Sequence, residues 1–347
     1  MASSEMSHVE HSLLVIALLF IILIAVKTTS YIVSMFLMAL ILTMLGIPAQ
    51  VWLKKKGLSD FTSTMVVTLA AILIILGFVG LTALSINTLI TDMPMYQKDL
   101  DVRIADVSAM LAPFGLSSLI TEPPQIDLGQ IASMGIGGAM SIADGLMFLF
   151  FVAVLTFFML LEAPRLTAHM ESHFGKESHT IHHLSRMTGY VIDFIVVRTE
   201  ANFIHGVLFG GFLGIIGVHG AILWGTLTFL LGYVPYFGLL IAAIPAIFFA
   251  WLQFGVPGAV AVIVAICVLN LLVENPVLSY LTARKFEMPA LLVLISVIFW
   301  GWLLGLVGML FAIPFTLIAL LIFQLSDELR WINVALGVDH LFEKQDV

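Results

Sequence analysis

The chain has 347 residues, 61% of them apolar and only 10% charged, with a net charge of −8 and a mean hydropathy of +1.13. A soluble domain carries about a quarter charged residues, so this composition excludes one, and the acidic balance leaves no basic patch for nucleic acid. Long apolar blocks without period-2 alternation exclude a membrane β-barrel, and a single cysteine, Cys267, excludes an intrachain disulfide and a cysteine metal site.

In lipid every spanning segment must satisfy its own backbone, so the expected fold is all-α, a polytopic integral membrane helix bundle. The polar start, MASSEMSHVEHS, lacks a basic n-region, and the first apolar run reaches Lys27 without a small-residue cleavage site. It reads as an uncleaved first span. Apolar segments then fall at 13–26, 31–46, 62–90, 137–161, 201–218, 220–233, 236–253, 257–275, 290–306 and 307–325. Several are shorter than the ~20 residues that cross a bilayer and come in pairs joined by Gly or Pro. The expectation is therefore about eight spans, including broken or re-entrant helix pairs. The 62–90 run is the opposite case, long enough at ~43 Å to project beyond the bilayer.

Two blocks interrupt the apolar runs, giving six expected regions. Residues 1–90 are N-terminal transmembrane helices; 91–136 form an external acidic segment; 137–162 is a further span; 163–200 is a cytoplasmic amphipathic segment. Residues 201–326 form a C-terminal core with broken helices, and 327–347 a cytoplasmic tail. In the acidic segment Leu100, Ile104, Val107 and Leu111 recur at helical spacing, predicting a helix over about 95–112. In the fourth region Leu184, Met187, Val191, Phe194 and Ile195 predict an amphipathic helix lying along the interface. His169, His173, His179 and His183 have i,i+4 spacing, but no sulfur ligand or HExxH arrangement accompanies them, and no metal or other cofactor is expected.

Of the 14 lysines and arginines, only Lys27, Lys98 and Arg103 fall on one face. Lys54, Lys55, Lys56, Arg165, Lys176, Arg186, Arg198, Arg284, Lys285, Arg330 and Lys344 fall on the other. That bias predicts a multi-pass plasma-membrane protein with both termini cytoplasmic.

Polar residues at membrane depth are the candidates for function. Glu274 ends an apolar run, shares a helix face with Asn270 one turn earlier, and precedes Asn275-Pro276. Pro276 disfavours continuation of the helix and frees carbonyls nearby. The group could gate, or bind a cation or proton, or simply mark a helix end meeting water. Tyr233-Val234-Pro235-Tyr236-Phe237-Gly238 breaks a long apolar run, as at the broken helices of transporters or at a tight turn between spans; the short arms favour the broken element. Asp193 and Glu200 align on one face of a helix, while Arg198, Asn202 and His205 form a second, roughly opposite face. Gly206, Gly210 and Gly214 make a close-packing seam. His219 sits at an external turn with no assigned role.

The C-terminal half, GAILWGTLTFLLGYVPYFGLLIAAIP (220–245) followed by LLVENPVLSYLTARKFEMPALLVLISVIFWGWLLGLVGMLFAIP (271–314), resembles the autoinducer-2 exporter family. The resemblance rests on Tyr233–Gly238, on Glu274-Asn275, and on Trp300-Gly301 leading to Gly305, Gly308 and Pro314. This chain is more charged than that family's pattern at Arg198-Thr199-Glu200. The resemblance implies a multi-spanning membrane transporter, assembled as a homo-oligomer and most simply a pentamer. Its cargo would be autoinducer-2, a quorum-sensing furanone, or a similar small polar organic solute. The alternative is a monovalent cation (Na+/Li+)/proton antiporter with Glu274 as the exchanging carboxylate. No GxSxG, HExxH or Walker A element is present, so an enzyme is not expected.

Overall fold

The computed structural model describes residues 8–114, 128–175, 179–235, 237–283 and 288–341. Among them the principal helices are α1 (His8–Thr28), α2 (Ser30–Lys55), α3 (Asp60–Thr91), α4 (Met93–Leu111), α5 (Leu128–Phe174) and α6 (His179–Ile216). There follow α7 (Ala221–Leu231), α8 (Gly238–Ala283), α9 (Ala290–Leu304), α10 (Leu306–Leu310), α11 (Ala312–Leu325) and α12 (Arg330–Ala335). Five segments are long and apolar enough to cross a membrane: 30–55, 60–91, 144–173, 188–216 and 238–277. Shorter apolar helices at Leu13–Thr28, Ala221–Leu231, Ala290–Leu304 and Ala312–Leu325 complete the expected polytopic bundle. At 32 residues, α3 is about 48 Å long, the overlong helix the sequence predicts.

Two expected interruptions are absent. The span expected to end at residue 162 runs on to Phe174 as α5, with Pro164 inside it. The proline's missing N–H leaves the carbonyl of Leu160, four residues back, without an intrahelical donor, and Gln50 Nε2 of α2 supplies one at 3.2 Å while also donating to Thr64 Oγ1 of α3 at 2.6 Å. One buried amide thus ties α2, α3 and α5 together. The predicted interfacial helix is the lower part of α6, which runs unbroken to Ile216. Val191, Phe194 and Ile195 are buried as the spacing foretold, but against Ile41, Leu292, Phe311 and Phe315 of the bundle rather than along a membrane surface.

From α7 onward the chain is built of hairpins. The α7 helix returns along α6: a Cβ on Gly206 would lie 2.6 Å from the carbonyl oxygen of Gly225, and one on Gly210 3.2 Å from the Gly225 Cα. Backbones this close require glycine on both sides. The chain turns after Leu231 and returns from Gly238 to Gly255, whose φ of +70° and ψ of −157° break α8 into two arms. The feet of the hairpin meet where Gln253 bonds both the ring and the backbone N–H of His219. Its tip touches Thr199, 18 residues or about 27 Å down α6 from Gly217.

At Gly255 the carbonyls of Leu252 and Gln253 lose their helical donors, the second because Pro257 has no N–H. Arg103 of α4 replaces both, Nε donating to Leu252 and Nη2 to Gln253 at 3.0 Å each, while Nη1 pairs with Asp106 at 2.8 Å. The same construction recurs between α9 and α10. Gly305 has φ +68° and ψ −143°, and the Lys27 ammonium donates to the carbonyl of Trp302. A second glycine follows each by three residues. A Cβ on Gly258 would meet the Ala250 carbonyl and Phe254 Cβ, and one on Gly308 the Trp300 carbonyl and Leu304 Cβ, the same offsets of eight and four residues. Two G-x-x-G elbows, each plugged by a cation three residues before its first glycine, therefore build both hairpins.

The helix expected over about 95–112 is present as α4, Met93–Leu111. Besides Arg103 it docks through Tyr96, 3% exposed, which packs edge-on against Phe249 and His219. Burial, aided by the carboxylates of Asp92 and Asp99, pushes the Tyr96 hydroxyl from 10.0 up to about 12. The folded state thus holds this proton more tightly than the unfolded chain. Its contribution to α4 docking is complete below pH 10 and is lost as the pH rises towards 12. A tyrosinate absorbance titration should show one late-titrating group that Tyr96→Phe removes; loss of a group titrating near 10 would contradict this docking.

Candidate functional site

The site forms where the hairpin tip meets α6 and the far arm of α8. Arg198, Asn202 and His205, spaced four then three residues, stand on one face of α6 and point into the bundle; Asn202 is 4% and His205 5% exposed. Opposite, Arg198 Nη1 donates to both oxygens of Glu274, each at 2.8 Å. The Arg198 side chain is 12% exposed and that of Glu274 40%, so the pair is reached from the glutamate side. Thr199 donates to the carbonyl of Ile195 at 2.6 Å and therefore accepts, also at 2.6 Å, from the hydroxyl of Tyr233. Phe229 and Phe311 flank the Tyr233 ring.

The tip is closed by glycines. A Cβ on Gly238 would collide with the carbonyl of Leu231, and one on Gly232 would lie 2.5 Å from Asn202 Oδ1. Val234 is 2% exposed and packs against Val297 and Ala312 of the second hairpin; Pro235 is buried beside it. Hydrogen bonds from the N–H of Phe237 to Pro235 and of Gly238 to Val234 shape the turn. Tyr236, also a sequence candidate, lies outside the described residues.

Three buried polar atoms have no partner here: Arg198 Nε, Asn202 Nδ2 and His205 Nε2. Unpaired groups cost about 1–3 kcal/mol each when desolvated, so a run of them along one face calls for water, a ligand or a rearrangement to satisfy it. A cavity of about 210 Å³ between α2, α3 and α5 is lined by Leu42, Ile72, Leu149 and Ala153 with Thr68 and Thr156. That lining suits hydrocarbon, not a polar solute.

The remaining sequence candidates separate. Glu274 is the guanidinium's partner rather than a solitary gate. Pro276 does not end the helix: α8 runs on to Ala283, with Asn275 and Pro276 exposed on its outer side. Asn270 and Asp193 are half-buried, and Glu200 is exposed. Gly206 and Gly210 form the seam as expected; Gly214 only touches Ala221 at 4.0 Å. Sequence reasoning missed Gly225 and Gly232, the answering surfaces on the hairpin, as well as the elbow role of Gly255 and Gly258. The repeated G-x-x-G was the available signal. His219, assigned no role, closes the hairpin's feet.

Known proteins resemble this chain in sequence over most of its length. The chain is 28% identical over 324 residues to a Haemophilus influenzae protein named "Putative transport protein", covering 89% of this chain and 91% of the relative. It is 25% identical over 309 residues to the AI-2 transport protein TqsA of Escherichia coli, covering 88% and 89%. The model of the AI-2E family transporters matches residues 13–326. With a polytopic bundle, cation-plugged hairpins and a polar seam inside the apolar core, the chain belongs to the AI-2E family of membrane transporters.

Proposed function

We propose that the chain carries a small polar organic solute along the seam of Arg198, Asn202 and His205, with the hairpin tip at Tyr233–Gly238 as the covering element. The observation that carries this reading is the set of three unpaired buried polar atoms on one helix face, where hydrocarbon would be expected. Autoinducer-2, named in the description of the Escherichia coli relative, is the first solute to test, in the export direction. The lysine and arginine bias supports a plasma-membrane protein with cytoplasmic termini, and the lipid-exposed α1 and α3 leave apolar faces for a homo-oligomer, a pentamer by family resemblance. Cation/proton antiport is the weaker reading because both carboxylate oxygens of Glu274 already accept from Arg198, which holds the place a bare cation would need.

Purified protein in liposomes with an internal pH dye tests this. Labelled autoinducer-2 should cross faster than in empty liposomes, and Asn202→Leu should abolish the excess. Sodium, lithium and potassium should trigger no proton flux. A cation-triggered flux that Glu274→Gln removes would establish antiport instead.

A further inference from the structure

The seam's hydrogen-bonding inventory points to a narrower class of ligand, an inference that rests on the transport reading above. A guanidinium has two forked edges, each suited to a planar pair of oxygens. Glu274 uses only Nη1, taking both its bonds from that one nitrogen. The Nε of Arg198 is buried and unpartnered, so the Nε edge of the fork is unused. One turn along the same face, Asn202 Nδ2 is a second unpartnered donor, within reach of a group held at Arg198. His205 Nε2, a further turn on, is unpartnered too. It donates or accepts according to its tautomer, and a hydroxyl satisfies it either way.

We propose that the seam binds a small hydroxycarboxylate, its carboxylate on the Nε edge of Arg198 and its hydroxyl towards Asn202 and His205. A bare cation is repelled by the guanidinium of Arg198 and finds no carboxylate on this side of it among the described residues. An uncharged polyol, autoinducer-2 included, meets the fork through hydroxyl oxygens alone and so should bind there more weakly than a hydroxycarboxylate. Gly232 lies over Asn202, whose Oδ1 fills the space a Cβ would take, so the ligand enters when the hairpin tip moves off α6.

Glu274 then has an unexpected sign. Bound on the other side of the guanidinium, its negative charge repels the incoming carboxylate, so removing that charge strengthens binding rather than weakening it. A purely structural ion pair would give the opposite result.

The test is calorimetric titration of the full chain in nanodiscs with lactate, acetate, glycerol and autoinducer-2, alongside flux of labelled autoinducer-2 in liposomes. Lactate should bind saturably and more tightly than acetate, and glycerol not at all. Arg198→Lys keeps a positive charge for Glu274 but lacks the Nε donor, and should weaken lactate by about tenfold or more. Glu274→Gln should tighten it several-fold, a gain that misfolding cannot produce. Absence of lactate binding, or binding indifferent to Arg198→Lys, would overturn the carboxylate assignment. If autoinducer-2 flux still depended on Asn202 in that case, the transport reading would stand without it. If no seam variant altered flux or binding of any solute, both would fall.

Discussion

Replacing Arg198 by leucine is expected to destabilise the protein by about 1–3 kcal/mol and to abolish solute flux. The loss leaves Glu274 facing an apolar neighbour with no partner; breaking a fully buried pair costs more, but at 40% exposure Glu274 keeps part of its hydration. The double variant Arg198→Leu/Glu274→Leu removes both charges together. It should recover most of the lost stability, because two well-packed apolar groups replace an ion pair at little net cost. It should not recover flux, because the fork that receives the solute is gone. Unfolding in a mixed-micelle titration and flux in liposomes separate the two effects. A double variant that transported like the wild type would reduce the pair to a structural tie and remove the seam as the solute path.

The bundle itself was readable from hydropathy because lipid leaves so few alternatives for a backbone. The overlong α3 followed from an apolar run of fixed rise per residue, and α4 from four apolar residues at helical spacing. What the sequence concealed were pairings between distant segments. Glu274 read as a lone carboxylate because its partner is 76 positions away on α6. The span was expected to end at residue 162, and nothing local says that Gln50 of α2 donates to the carbonyl that Pro164 frees and so lets α5 run on. The amphipathic pattern of Val191, Phe194 and Ile195 identified a buried face correctly, but periodicity does not reveal whether the covering surface is lipid headgroup or protein. Lys27 and Arg103 are the most instructive. Counted as two of the few cations on their face, they served as a topological signal, while in the fold each closes a broken helix.

The two elbows should behave as separate units, each strongly coupled within itself. Gly255 and Gly305 occupy a backbone region that is essentially reserved for glycine, where another residue costs on the order of 1–3 kcal/mol. Gly255→Ala and Gly305→Ala should each lower stability by about that amount, and their double variant by about the sum, since distant sites without shared partners add. Arg103→Leu strands the carbonyls of Leu252 and Gln253, two charge-assisted bonds on a partly exposed side chain, for an expected loss of about 2–4 kcal/mol. Combined with Gly255→Ala it should fall short of additivity, because an elbow already displaced by alanine no longer presents those carbonyls to the guanidinium. Combined with Gly305→Ala, on the other hairpin, it should add. Arg103→Lys should restore part of the loss, since one ammonium reaches a carbonyl as Lys27 does at Trp302. Additivity of Arg103→Leu with both glycine variants alike would mean that the arginine does not act through the broken backbone at Gly255. It would also leave the recurrence of cation, glycine and second glycine in the two hairpins without a physical cause.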